Sequence, residues 1–213
     1  MRVLGIAGSL REASHNRNLL RAAADELPPG VEMTVFEGLK AVEPFDETDE
    51  LETGGGMPGA DRLIAAIREA DAVLFVTPEY NGSIPGVLKN AVDWASRPTP
   101  ATSALANKPV AVIGASTGMF GASWAQAELR KALGLAGARV LDQELAVPTA
   151  HEAFREDGRL VRGATRRRLR SLLADLSAEV APPTDAAPTT EAAPTTEAAA
   201  PADQQPQVTP QPK

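Results

Sequence analysis

A polar stretch early in the chain carries side chains that could bind a phosphate group. Residues 8–17 read GSLREASHNR and follow the apolar run RVLGIA. A phosphate monoester carries about two negative charges and needs several donors at one place. The hydroxyls of Ser9 and Ser14, the guanidinium of Arg11 and the first N–H groups of a following helix are such donors. The stretch therefore predicts a phosphate-binding turn, with Asn16 as a further donor. The alternative is an ordinary strand–helix turn in which Asn16 is the N-cap.

A second polar stretch is suited to a flat ligand. It reads PEYNGS from residue 78 and lies between the apolar run AVLFV, typical of a buried strand, and a segment with helical spacing. The Asn-Gly pair within it predicts a tight turn with exposed backbone N–H groups. Ser83 is expected to cap the following helix, with Pro85 in the first helical turn. The residues expected to contact the ligand are Pro78, Glu79, Tyr80, Asn81 and Gly82.

Small residues follow the fourth apolar run, where residues 114–121 read GASTGMFG. Small side chains allow a ligand to approach the backbone closely. Met119 and Phe120 either cover such a ligand or pack into the protein. The residues at the centre of this third stretch are Ser116, Thr117 and Gly118, and they become candidate contacts through the family resemblance given below.

The third stretch also matches the G-x-S-x-G pattern of serine hydrolases, with Ser116 as the nucleophile. Asp142 and His151 follow in the chain order of a Ser-Asp-His triad. However, only one further strand is evident after Ser116, and the other two polar stretches would then have no role. A serine hydrolase is therefore the less favoured alternative.

The first two stretches resemble the NADPH-dependent FMN reductase family, a flavodoxin-like group that includes bacterial quinone, chromate and azo-dye reductases. The resemblance rests on PEYNGS at 78–83, on PG, LKNA and DW within 85–94, and on the pattern G-S-x-R-x-x-S-x-N at 8–16. It covers approximately residues 1–178 and implies that the second and third stretches lie against the flavin ring. It also implies a homodimer or homotetramer with the flavin site near a subunit boundary. The residues implied to bind the FMN phosphate are Ser9, Arg11, Ser14 and Asn16.

The function that this resemblance implies is an FMN-dependent NAD(P)H oxidoreductase. It would transfer a hydride from NADPH to FMN and then reduce a quinone or a similar small-molecule acceptor. No catalytic residue and no metal ligand is assigned, because the cofactor itself carries the chemistry. The preference for NADPH over NADH rests on the resemblance alone. Two variants remain open: a flavodoxin-like electron carrier that does not oxidise NAD(P)H directly, and a reductase for which FMN is a diffusing substrate.

The elements that must position these stretches alternate along the chain, which predicts an α/β fold. Five strands and five helices imply a flavodoxin-like, doubly wound parallel sheet with helices on both faces and strand order 2-1-3-4-5. In this order the chain reverses direction between strands one and three, where ligands bind beyond the carboxyl ends of the strands. The predicted strands are 2–7, 31–36, 72–77, 109–114 and 139–147, and the predicted helices are 16–27, 59–70, 83–96, 122–135 and 164–180.

Composition limits the other possibilities. The chain has 213 residues, a formal net charge of −7 and no cysteine. The acidic balance argues against nonspecific nucleic-acid binding, and the absence of cysteine excludes disulfides, thiolate metal sites and a cysteine nucleophile. The start resembles neither a signal peptide nor a membrane span, so we expect a cytoplasmic protein without a membrane partner.

The composition changes near residue 181. Residues 1–180 are expected to form the FMN-binding domain, whereas 181–213 are rich in Pro, Ala, Thr and Glu. The hexad AAPTTE occurs at 186–191 and again at 192–197. A stretch with almost no large apolar side chains cannot offset the entropy of ordering itself, so we predict a disordered tail.

Overall fold

A computed structural model describes residues 1–49 and 57–180. In these ranges five parallel strands form one sheet in the order β2-β1-β3-β4-β5, which confirms the predicted flavodoxin-like arrangement. The predicted tail at 181–213 lies outside the described residues, as do residues 50–56. The strands are β1 (Arg2–Ala7), β2 (Glu32–Val35), β3 (Ala72–Thr77), β4 (Pro109–Ala115) and β5 (Arg139–Val147). The helices that cover the sheet are α1 (His15–Ala24), α2 (Pro58–Glu69), α3 (Gly86–Ala95), α4 (Ser123–Leu135) and α5 (Gly163–Ala178).

The sheet separates two apolar cores because successive side chains of a strand point to opposite faces. On one face Val73 and Phe75 of β3 pack with buried residues of α2, α3 and α4. On the other face Leu74 and Val76 pack with α1 and α5. Strand β3 is buried at every position, whereas β2, at one edge of the sheet, is mostly exposed. The central strands therefore hold their carboxyl ends rigidly at one edge of the sheet.

Helix α1 begins one residue earlier than predicted and ends three residues earlier, at Ala24. Its N-cap is Ser14, whose hydroxyl oxygen accepts the backbone N–H of Asn16 at 3.2 Å. Asn16 lies inside the first turn, so its alternative interpretation as the N-cap is wrong. A serine before the turn is as good a cap as asparagine, and the sequence offered both.

Helix α3 begins at Gly86, so the prediction that Ser83 caps this helix is wrong. Asn81 and Gly82 have φ angles of 53° and 72° and form a two-residue turn. Tyr80 and Ser83 flank this turn and exchange two backbone hydrogen bonds of 3.1 Å. Because such a turn places Ser83 in an antiparallel bridge, the helix starts only after Pro85.

No helix in the described part of the chain is long and apolar enough to cross a membrane.

Candidate functional site

Three loops meet at the carboxyl edge of the sheet: the β1 loop (residues 8–14), the β3 loop (residues 78–85) and the β4 loop (residues 116–122). The backbone N–H of Gly8, which begins the β1 loop, donates to the carbonyl of Val76 in β3 at 2.9 Å. The same loop leads into Asn16, which is hydrogen-bonded to Ala115 at the end of β4. The predicted site residues are therefore brought to one edge, at the point where the strand order reverses.

The β1 loop presents donors that fit a phosphate. Ser9 and Ser14 are only 2% and 1% exposed, and each hydroxyl oxygen accepts one backbone N–H, from Arg11 and Asn16 respectively. Each hydroxyl hydrogen remains available to donate to a ligand. Arg11 is exposed and forms no ion pair with the residues that the structure describes. Its charge is therefore available for an anion at the start of α1.

Basic groups surround this helix start. Burial is the main cause that lowers the pKa of His15 from its ordinary value, and the charges of Arg11 and His151 act in the same direction. The ring of His15 also stacks on Phe154 with a centroid distance of 6.4 Å. The effect of Arg11 on His15 shows that the guanidinium charge lies near the N-terminus of α1, where a positive charge favours a bound anion. The sequence did not predict that His15 and His151 interact, because they lie 136 positions apart in the chain.

The side-chain amide of Asn16 is already hydrogen-bonded within the protein, which the sequence did not predict. Its side chain is 3% exposed, its Nδ2 donates to the carbonyl of Ala115 at 2.9 Å, and its Oδ1 accepts the N–H of Ala115 at 2.9 Å. This pair of bonds fixes the start of α1 to the end of β4. A direct contact between Asn16 and a phosphate stays a prediction, and the donor left for it is the second N–H of the side-chain amide, because the backbone N–H donates to Ser14.

The β3 loop carries the turn expected beside a flat ligand. Pro78 is buried, whereas Tyr80 is 48% exposed and Asn81 and Gly82 lie at the surface. Within the described ranges, the backbone N–H groups of Asn81 and Gly82 donate to no protein acceptor. These two groups are therefore available to hydrogen-bond the polar edge of a ring.

The side chain of Glu79 is directed toward α4. Its Oε2 accepts the backbone N–H groups of Trp124 and Ala125 at 3.1 and 3.2 Å. On the far side of the turn, the hydroxyl of Ser83 donates to Oε2 of Glu128 at 2.5 Å. The carboxylate of Glu79 thus contacts a helix terminus, and a contact of this residue with a cofactor stays a prediction.

The β4 loop is held by its own backbone and by the segment after β5. Ser116 donates its N–H to Val147 at 3.1 Å, and its carbonyl accepts the N–H of Ala150 at 3.0 Å. Its hydroxyl oxygen accepts the N–H of Gly118 at 3.2 Å. Thr117 and Gly118 are exposed at the carboxyl edge. The loop is thereby fixed while its outer surface is left open.

The structure does not assemble the Ser-Asp-His triad. Asp142 is fully exposed and pairs with Arg130 at 2.6 Å. Val147 lies opposite Ala115 in the sheet, and Asp142 precedes Val147 by five residues, or roughly 17 Å along the strand. Asp142 is therefore far from Ser116, and the serine-hydrolase alternative is wrong.

An exposed aromatic surface lies beside the loops and was largely missed. Met119, Phe120 and Trp124 are 78%, 55% and 52% exposed, and the rings of Phe120 and Trp124 are 4.7 Å apart. Tyr80 is also exposed, and its neighbour Glu79 is bonded to the backbone of Trp124. Exposed apolar side chains of this size commonly mark a binding surface. From the sequence, Met119 and Phe120 could either cover a ligand or pack into the protein. In the structure both side chains are exposed.

Comparison with known proteins decides which family this geometry belongs to. The sequence profile described as NADPH-dependent FMN reductase matches residues 1–152. The chain belongs to the NADPH-dependent FMN reductase family. The member described here is therefore an oxidoreductase that uses FMN together with NAD(P)H.

Individual members of the family support this assignment. An NAD(P)H-dependent FMN reductase from Pseudomonas aeruginosa is 41% identical over 162 residues, which are 76% of this chain and 85% of the relative. An NADPH:quinone oxidoreductase from Arabidopsis thaliana is 36% identical and covers 84% of this chain and 91% of its own length.

A solved structure extends the likeness from sequence to fold. The flavoenzyme FerB of Paracoccus denitrificans, an NAD(P)H:(acceptor) oxidoreductase, matches with a TM-score of 0.75 and 31% identity. The match covers 84% of this chain and 96% of FerB. The family's fold is thus shared over nearly all of the described residues.

Proposed function

We propose that the chain holds FMN across the β1, β3 and β4 loops and uses it to pass electrons from NADPH to a quinone-like acceptor. The observation that carries this proposal is the pair of backbone N–H groups, at Asn81 and Gly82, that have no acceptor among the described residues. They lie at the carboxyl edge of the sheet, beside a loop with phosphate donors. A flat ring joined to a phosphate fits both features.

In this proposal the β1 loop binds the phosphate. Arg11 supplies a charged pair of donors, and the hydroxyls of Ser9 and Ser14 supply neutral ones. Because both serines are buried and already hydrogen-bonded to backbone N–H groups, their positions are set before any ligand arrives. Asn16 contributes by holding α1 against β4.

The β3 and β4 loops hold the ring. The free N–H groups of Asn81 and Gly82 hydrogen-bond its polar edge, and the small residues Ser116, Thr117 and Gly118 allow it to approach the backbone. FMN, when bound, supplies the redox chemistry by accepting a hydride from the nicotinamide and returning electrons to an acceptor. The protein has to orient the ring and leave one face open, and no side chain is needed as a general acid or base.

The acceptor is a small planar molecule such as a quinone. Exposed aromatic rings offer apolar surface to such a molecule: Tyr80 in the β3 loop, Phe120 in the β4 loop and Trp124 in the first turn of α4. Relatives from Arabidopsis thaliana and Escherichia coli are named quinone oxidoreductase and quinone reductase, which agrees with this acceptor class.

The same exposed surface supports a homodimer or homotetramer. Large apolar side chains at a site edge are more stable when a second subunit covers part of them. The absence of cysteine and the use of a nicotinamide donor are in keeping with a cytoplasmic location. Residues 181–213 are proposed to take no part in the reductase domain.

The decisive experiment is to purify the full chain without added flavin and to record its visible absorption before and after anaerobic NADPH. We expect yellow protein that loses its colour with NADPH and regains it when a quinone is added. Yellow protein that is unchanged by NADPH would instead establish an electron carrier that does not oxidise the nicotinamide. Colourless protein that takes up no added FMN would contradict the proposal.

A further inference from the structure

Helix α4 has no side-chain cap of its own. Its N-cap position is Ala122, which has a φ of 66° and only a methyl group to offer. The first N–H groups of a helix lack acceptors within the helix and need others. Here the carboxylate of Glu79 accepts two of them, from Trp124 and Ala125, although Glu79 lies in a different loop.

This contact connects two parts of the proposed flavin site. Glu79 directly precedes Tyr80 and the turn whose N–H groups are free, while α4 directly follows the β4 loop. Ser83, on the other side of the turn, is bonded to Glu128 one turn further along α4. Both ends of the Tyr80–Gly82 segment are therefore attached to the same helix, and the turn cannot shift without moving it.

We propose that Glu79 is a positioning residue, whose carboxylate sets the distance between the β3 and β4 loops by capping α4 and does not bind the flavin. This inference rests on the proposed function. Ring-binding N–H groups must be held within a fraction of an ångström of their working positions. A negative charge at a helix N-terminus is also favourable, so the contact holds without any ligand.

The chain offers a control with the same chemistry. Glu43 accepts the backbone N–H groups of Gly59 and Ala60, both at 3.0 Å, at the start of α2. That helix also lacks a side-chain cap at its own N-cap residue, Met57. The backbone carbonyl of Glu43 accepts N–H groups from the side chains of Asn90 and Trp94. In the part of the chain that the structure describes, Glu43 makes no hydrogen bond to the β1, β3 or β4 loop. Its removal should cost similar stability without moving the β3 loop.

The test compares Glu79→Ala, Glu79→Gln and Glu43→Ala in the full chain. Three quantities are measured: the thermal midpoint without flavin, the FMN dissociation constant by quenching of flavin fluorescence, and the visible circular dichroism of bound FMN. Both alanine variants are expected to lose a few degrees in Tm. Only Glu79→Ala should weaken FMN binding about tenfold or more and alter the dichroism of the ring. Glu79→Gln keeps an acceptor oxygen for the helix and should recover most of both losses.

Equal FMN affinities and dichroism spectra in Glu79→Ala and Glu43→Ala would overturn the inference. It would also be overturned if Glu79→Gln bound FMN as weakly as Glu79→Ala. Wild-type protein that does not bind FMN would overturn the proposed function, and this inference with it. If Glu79→Ala fails to fold, Ser83→Ala tests the same attachment through Glu128. It should change the dichroism of bound FMN while the Tm without flavin stays nearly constant, and an unchanged spectrum would contradict the inference.

Discussion

Asn16 and Ala115 are joined by two hydrogen bonds of 2.9 Å, although 99 positions separate them in the chain. The side-chain amide of Asn16 donates to the carbonyl and accepts the N–H of the same residue. This closed pair satisfies both backbone groups at the end of β4 and ties the β1 loop to the β4 loop. The geometry of the site therefore depends on one buried amide.

Replacing Asn16 by alanine is expected to destabilise the fold by about 2–3 kcal/mol, because the buried N–H and C=O of Ala115 lose their partners. Urea unfolding measures this loss. Asn18 is a matched control on the same helix, since among the described residues its side chain accepts only a 3.4 Å bond from Arg21. Asn18→Ala should stay within about 0.5 kcal/mol of wild type. Similar losses in the two variants would show that the Ala115 pair contributes little.

Arg11→Ala is expected to weaken FMN binding by about 10- to 100-fold, because a charged donor to the phosphate is lost. The free energy of unfolding should not change, since Arg11 is exposed and pairs with no carboxylate among the described residues. Fluorescence titration with FMN at two salt concentrations measures the affinity and its electrostatic part. Arg159→Ala, at another exposed position, is the control. Unchanged FMN affinity in Arg11→Ala would refute the phosphate role.

The free energy of unfolding should decrease in acid, in part because Glu26 becomes protonated. Burial by itself would raise the pKa of Glu26, but the hydrogen bonds and charges of Arg166 and Arg170 outweigh it and hold the pKa below its ordinary value of 4.5. A carboxyl group whose pKa is lower in the folded state stabilises the fold above the unfolded-state pKa. That contribution is lost as the pH falls through the folded-state pKa.

The corresponding experiment compares wild type with Glu26→Gln by urea unfolding between about pH 7 and pH 3. At neutral pH the variant should be less stable by roughly 1–2 kcal/mol, since both arginine partners are partly exposed. The difference should become smaller as the pH falls below 4.5, the ordinary pKa. A difference that is constant over the whole pH range would contradict this assignment.

Gly121→Ala should be strongly destabilising, by about 2–4 kcal/mol. Gly121 has a φ of 60°, and an added Cβ would lie 2.6 Å from the backbone nitrogen of Val147. Gly134, inside α4, has open space around its missing Cβ. Gly134→Ala should therefore stabilise the protein by about 0.5–1 kcal/mol. The pair is compared by urea unfolding, and equal effects would show that the contact with Val147 does not restrict this loop.

The amino-acid sequence alone predicts the order of the strands and helices and the edge of the sheet at which the site is expected. Apolar runs such as AVLFV have the length and residue types of buried strands, and their alternation with helical segments predicts the parallel sheet. The predicted elements agree with the observed ones to within about three residues at their ends. The Asn-Gly turn was also predictable, because its conformation depends on the two residues themselves.

Which polar atoms of the candidate site are free to bind a ligand depends on the folded chain. The amide of Asn16 bonds to both backbone groups of Ala115, and the predicted contact of its remaining N–H with a ligand stays a prediction. The carboxylate of Glu79 caps α4, and the predicted contact of this residue with the cofactor stays a prediction. Ser83 was predicted to cap α3, yet it is bonded to Glu128. Each of these partners is distant in sequence, and a polar side chain bonds to whichever group the packed helices and strands bring within reach.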